Sequence, residues 1–187
     1  MVKRKIGFYF LFLRQKDYEF PIKENFIKLL GFLQNKTRVE RKQDITSDKI
    51  AFLDSHTIDD DDNLIKLLFK SAKHSYRAPL IDKNTVIERD NPKRIDEGEQ
   101  TKTHALIKFK EGDAIFFLET GGGMLTSHNI AEYLNKMLAI YNGQFQNDGD
   151  KILGSFCFDM IPRDDFREVL QNMRRVSCAT IFTDKRI

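Results

Sequence analysis

Residues 103–141, THALIKFKEGDAIFFLETGGGMLTSHNIAEYLNKMLAIY, constrain the fold more tightly than any other stretch. Two apolar runs flank Glu111-Gly112-Asp113, the pattern of two strands joined as a β-hairpin. Three glycines follow, and then Ile130, Tyr133, Leu134, Met137, Leu138 and Tyr141 recur at helical spacing. Two paired strands feeding an amphipathic helix need a sheet with helices packed against it. With 187 residues, 41% of them hydrophobic, the chain can bury one substantial core of this kind.

The remaining segments extend that plan. Ile6–Leu13 is continuously apolar and aromatic, which predicts a strand covered on both faces. Phe26, Ile27, Leu29, Leu30 and Leu33 predict a helix over Pro21–Gln34, and Ile50–Leu53 a short strand beyond a charged connector. IDDDDNLIKLLFKSAKHSY, residues 58–76, reads as a second helix with its acidic residues at the positive N-terminal end. Ala78–Thr101, with Pro79, Pro92 and Gly98, reads as a long loop. ILGSFCFDMI, RDDFREVLQNMRR and VSCATIFTD predict strand, helix and strand toward the C-terminus. The expected architecture is therefore α+β: one mixed sheet of about six strands packed with about four helices. The chain reads as one domain over 1–187, either whole or the N-terminal domain or a fragment of a longer protein.

Localisation follows from the first residues and from the cysteines. MVKRKIGFYFLFLRQK places basic residues before an apolar run, as a signal peptide does. The run is too short to span a bilayer, and no small-residue cleavage site follows it. A cytoplasmic protein away from membranes, with Cys157 and Cys178 reduced, is the expectation.

The chemical motifs fail one by one. A phosphate-binding loop of the P-loop kind needs Lys-Ser/Thr after its last glycine, where Met124-Leu125 stands; a dinucleotide fingerprint needs Gly or Ala where Thr126 stands. Gly121, Gly122 and Gly123 are then either an anion-holding nest of backbone amides or a plain turn. In the plain turn at least one glycine has positive φ. Thr126, Ser127 or Asn129 caps the helix, and Glu132 completes a capping box from Asn129. The acidic run Asp59–Asp62 lacks the glycine turn of a calcium loop. Glu40-Arg41-Lys42 fits the Glu-x-Lys of metal-dependent nucleases, but it sits in a hydrophilic connector. His56, His74, His104 and His128 show no metal-ligand spacing. No catalytic residue, metal or cofactor is assigned.

Basic residues are the remaining candidates. The net charge of +3 is too small to specify a polyanion partner by itself, so clustering has to carry the argument. On a helix, Lys66, Lys70, Lys73 and Arg77 line one face, with Lys93 and Arg94 beyond. Such a stripe is either an ordinary solvated face or a track for phosphates.

GFYFLFLR, KSAKHSYRAPLI and EGEQTKTHALIKFKEGDAIFFLETGGGMLTSHNIAEYLNKML together resemble, in layout, a loose group of bacterial and phage proteins. These are the RexA-like phage-exclusion proteins and the KwaB-like subunits of anti-phage defence. The likeness lies in Glu-Gly before Thr103-His104, the hairpin, and the glycine turn into a helix carrying Tyr133-Leu134-Asn135. It implies a homodimeric, largely sequence-independent binder of duplex DNA, with no catalytic residue to carry over. The resulting expectation is a non-catalytic nucleic-acid-binding module of a phage-defence or exclusion system. The alternatives are a protein-interaction or sensor subunit that meets a phage or effector protein, and a metal-dependent nuclease.

Overall fold

The computed structural model describes residues 5–59, 61, 63–74, 77–110 and 113–161. The elements run β1 (Lys5–Gln15), β2 (Tyr18–Glu19), α1 (Ile22–Gln34), α2 (Arg38–Arg41), β3 (Gln43–Thr46), β4 (Lys49–Asp59) and β5 (Leu64–Lys73). A minimal hairpin, β6 (Leu80–Ile81) with β7 (Glu88–Arg89), interrupts the long loop. Then come β8 (Glu99–Lys110), β9 (Asp113–Thr120), α3 (Ser127–Asn142), a 3-10 turn at Asp148–Asp150, and β10 (Ser155–Met160).

One eight-stranded sheet has the order β10-β1-β9-β8-β5-β4-β3, with β2 paired on β1. Every pairing among the described strands is antiparallel, so the sheet is not mixed. It has more than the expected six strands, and the described helices number three, not four. The expected helix over residues 163–175 and the strand after it lie outside the described residues, as does Cys178.

The largest correction is residues 58–76. Within this stretch the described residues give the end of β4 and the whole of β5, which pair from Asp59↔Leu64 to Lys49↔Lys73. The apolar positions 64, 65, 68, 69 and 72 suit a helix, but 65, 67 and 69 suit a strand equally. Partners on both sides decide between them, because β4 and β8 satisfy the β5 backbone along its length. Ile65, Leu67, Phe69 and Ser71 then enter the core, and the even-numbered residues face the other way.

α1 and α3 pack on one face of this sheet. α1 buries Ile22, Phe26, Leu29, Leu30 and Leu33, and α3 buries Ile130, Tyr133, Leu134, Met137 and Leu138. Both helices follow the periodicity of the sequence, α1 starting one residue after Pro21, its N-cap. Phe26 meets Phe156 edge-on at 5.6 Å between ring centres, and Phe69 meets Tyr133 at 5.6 Å.

The sheet curls around α3. Asn135 holds the edge strand β10, donating to the Phe156 carbonyl at 2.9 Å and accepting from its N–H at 2.7 Å. Its neighbour Lys136 donates to the Asp44 carbonyl in β3, at the opposite edge, at 2.6 Å. One helix therefore bridges both rims, which makes the helix side of the sheet concave and the other side convex. No described helix is long and apolar enough to cross a membrane.

Candidate nucleic-acid interface

The glycine turn behaves as a turn. Gly123 has φ +78°, and Gly122 has open space where a side chain would stand. The Met124 N–H donates to the Gly121 carbonyl at 3.3 Å, and the Leu125 N–H to the buried Thr103 hydroxyl at 3.0 Å. Thr126 caps α3 in a reciprocal box with Asn129, while Glu132 pairs with Lys136 at 2.7 Å and takes no part in the cap. Lys49 donates to the carbonyls of Gly123 and Met124 at 3.0 and 3.2 Å. The turn thus spends its amides from Met124 to Thr126 internally and shows carbonyls to a lysine, the reverse of an anion cradle.

The nuclease candidates are absorbed into structure. Glu40 is the third residue of α2 and forms a capping box with Thr37, whose backbone N–H is the main reason its carboxyl is held down to about 2. Arg41 donates to the carbonyls of Leu53 and Asp54 at 2.9 and 3.3 Å. Asp59 ends β4. Asp60 and Asp62 lie outside the described residues, and among the described residues no three His, Cys, Asp or Glu gather as metal ligands would. Cys157 is half-buried beside the Phe12 carbonyl, and burial pushes its thiol up from the ordinary value.

The expected basic stripe does not exist as such. On strand β5, Lys66 and Lys70 share the convex face, Lys73 falls on the opposite parity, and Arg77 lies beyond the strand. Lys70 is ion-paired to Asp54 at 2.8 Å, Lys73 to Asp48 at 3.1 Å, and Arg94 to Asp96 and Glu97 at 3.3 Å each. Lys93 and Arg94 sit in the loop before β8 and belong to neither β5 nor β8.

Strand pairing recruits cations that spacing along the sequence did not reveal. Lys102, His104 and Lys108 project from β8 onto the same convex face, where Lys70↔Lys102, Leu68↔His104 and Leu64↔Lys108 are register partners. Lys66 and Lys102 are exposed and have no carboxylate partner among the described residues. His104 Nδ1 lies 2.6 Å from Glu119 Oε2, so the carboxylate near the end of β9 is already engaged. Beyond the hairpin end of the face, Lys23, Lys108 and Lys110, together with Glu24 and Asp113, line an open groove of about 540 Å³ beside the start of α1.

The same face is aromatic. β1 alternates: Leu11 and Leu13 enter the core, while Ile6, Phe8, Phe10 and Phe12 turn outward. The expectation that this strand is covered on both faces is therefore wrong among the described residues: Ile6 is 57% and Phe8 47% exposed. The apolar run is continuous because both faces are apolar. Phe8 meets Phe117 of β9 edge-on at 5.3 Å, and the Arg14 guanidinium lies 4.4 Å over the Phe12 ring.

No protein-family model matches the chain, and no curated protein or solved structure matches it either.

Proposed function

We propose that this protein is a non-catalytic module that binds nucleic acid largely without regard to sequence, of the kind a phage-exclusion or anti-phage defence system uses. The observation that supports this best is the lysine set on β5 and β8. Lys70 stands directly opposite Lys102, with Lys66 and Lys108 diagonal to one another on the same face. Asp54 offsets Lys70, but Lys102 and Lys66 have no carboxylate of their own among the described residues, and like charges facing one another on neighbouring strands destabilise a sheet. A polyanion laid over the face turns that cost into affinity through phosphate contacts and counterion release. The phage-defence setting rests on the resemblance in layout.

The test is an anisotropy titration with labelled random-sequence duplex and single-stranded oligonucleotides between 50 and 200 mM salt, ranges in which about six phosphate contacts would lower affinity by roughly a thousandfold. Lys66→Glu with Lys102→Glu should weaken binding and flatten the salt slope by about two contacts. Absence of binding to either oligonucleotide at the lowest salt rejects the proposal.

A second reading has its own observation. The segment between β5 and β8 exposes Ile81, Val86, Ile87 and Ile95, and Val86 holds φ 57°, a strained conformation for a β-branched residue. This apolar tip suits a protein partner, as a sensor or effector-holding subunit would need. Replacing Ile81 and Ile87 by Ser should then abolish recovery of one defined partner from phage-infected cells and leave oligonucleotide binding intact.

A further inference from the structure

We infer that the convex face takes single-stranded nucleic acid, with bases stacked on Phe8 and Phe117 and the backbone carried by Lys66 and Lys102. This rests on the nucleic-acid reading above and narrows it against the duplex DNA that the sequence resemblance implies. Strand register supplies the geometry. Phe8↔Phe117, Phe117↔Leu106 and Leu106↔Lys66 form one cross-strand row on the open face. At the usual spacing between neighbouring strands, Phe8 and Lys66 are about 14 Å apart.

The row therefore runs from ring to ring to aliphatic side chain to cation. Phe8 leaves nearly half its surface in water beside the Phe117 ring, and no described helix covers it. Exposed aromatic side chains on a sheet, bordered by lysines, are how sheet proteins hold unstacked bases without reading them. A duplex keeps its bases stacked inside and offers these rings nothing but sugar and phosphate.

Shape favours the same ligand. α3 bridges β10 and β3, so the face that carries the rings curves outward. A duplex stiff over about 150 base pairs touches a convex surface along a short tangent, whereas a flexible single strand follows it. Charge separates a nucleic acid from an apolar protein partner. Of the carboxylates beside this face, Glu119 and Asp54 are held by His104 and Lys70, and Asp59, diagonal to Lys66, has an engagement of its own, which leaves Lys66 and Lys102 for an incoming anion.

The chain has no tryptophan, so Phe8→Trp installs a single reporter. Titrating the full chain carrying this substitution with a 20-nucleotide oligothymidylate should quench its fluorescence as bases stack on the indole, and a 20-base-pair duplex should not. By anisotropy at about 50 mM salt, the oligothymidylate should bind at least tenfold tighter than the duplex. Phe8→Leu keeps the face apolar and the sheet intact, and should weaken single-strand binding by roughly 5- to 100-fold. Lys66→Glu with Lys102→Glu should weaken both ligands. Duplex binding as tight as single-strand binding, or a Phe8→Leu protein unchanged toward oligothymidylate, overturns this inference and leaves the nucleic-acid reading standing. No binding of either ligand overturns both.

Discussion

Tyr133 shows how much one hydroxyl can carry. β3 pairs β4 only as far as Ala51, so the Leu53 N–H on that side of β4 has no strand to meet. The buried Tyr133 hydroxyl accepts it at 3.1 Å, and Arg41 takes the Leu53 and Asp54 carbonyls nearby. Burial pushes the phenol up to about 12, so it stays protonated at any working pH. Tyr133→Phe keeps the ring packed on Phe69 but strands a buried N–H, and should cost about 1–3 kcal/mol in urea denaturation. Asp54, at the adjoining β-bulge, lies between Lys70 at 2.8 Å and Arg38 at 3.0 Å. The hydrogen bond from Lys70, followed by the surrounding positive charges, holds its carboxyl below the ordinary 3.8. A carboxyl lowered by folding stabilises the fold above its unfolded pKa and loses that contribution as pH falls through the folded one. The stability difference between the unsubstituted protein and Asp54→Asn should therefore be constant above about pH 5 and narrow below pH 4, read from urea midpoints. The periodicity of the sequence announces Tyr133 as a core residue; the truncated strand that gives its hydroxyl a task is a tertiary fact.

Elements were legible where local pattern and final environment agree. The helix of the opening stretch matches α3, with its five core residues and Tyr141 packed against them, because one buried stripe has one period. The hairpin arms match β8 and β9 for the same reason. β1 was legible as a strand but not in its open face, and β5 was not legible as a strand, because apolar side chains on the open face blur the alternation. Legibility also fails at the convex lysine face, because register, which no local window contains, puts Lys102 opposite Lys70. The glycine turn was readable in outline, and it yields a sharp contrast between neighbours. Gly122→Ala enters open space at ordinary φ and should be close to neutral. Gly123→Ala meets φ +78° with the Thr101 hydroxyl 3.3 Å away, and should cost roughly 1 kcal/mol. Thermal melts of the two variants separate them, and equal losses would mean that the positive φ is not what the glycine supplies.

For the molecule as a whole, α3 governs the fate of the sheet's edges. Asn142 repeats at Ile152 the two-bond grip that Asn135 makes on Phe156, so side-chain amides stand where a further strand would bond to this part of the chain. An open rim invites edge-to-edge pairing between copies. Asn135→Leu with Asn142→Leu should lower the melting temperature and raise light scattering in proportion to protein concentration; scattering that stays flat would assign the rim's protection elsewhere. The task of neither asparagine could be read from the sequence, since their partners are backbone groups ten or more residues away. The strand order has one more consequence, for a chain still on the ribosome. β1 is made before every other described strand, yet apart from the two-residue β2 its neighbours are β9 and β10, the last two of the described strands to be made. At about 5–20 residues per second, Phe8, Phe10 and Phe12 wait on the order of ten seconds for their partners. Until then they are the aromatic bait that molecular chaperones capture, and the face that is to hold a ligand in the finished protein is first a hazard to its own synthesis.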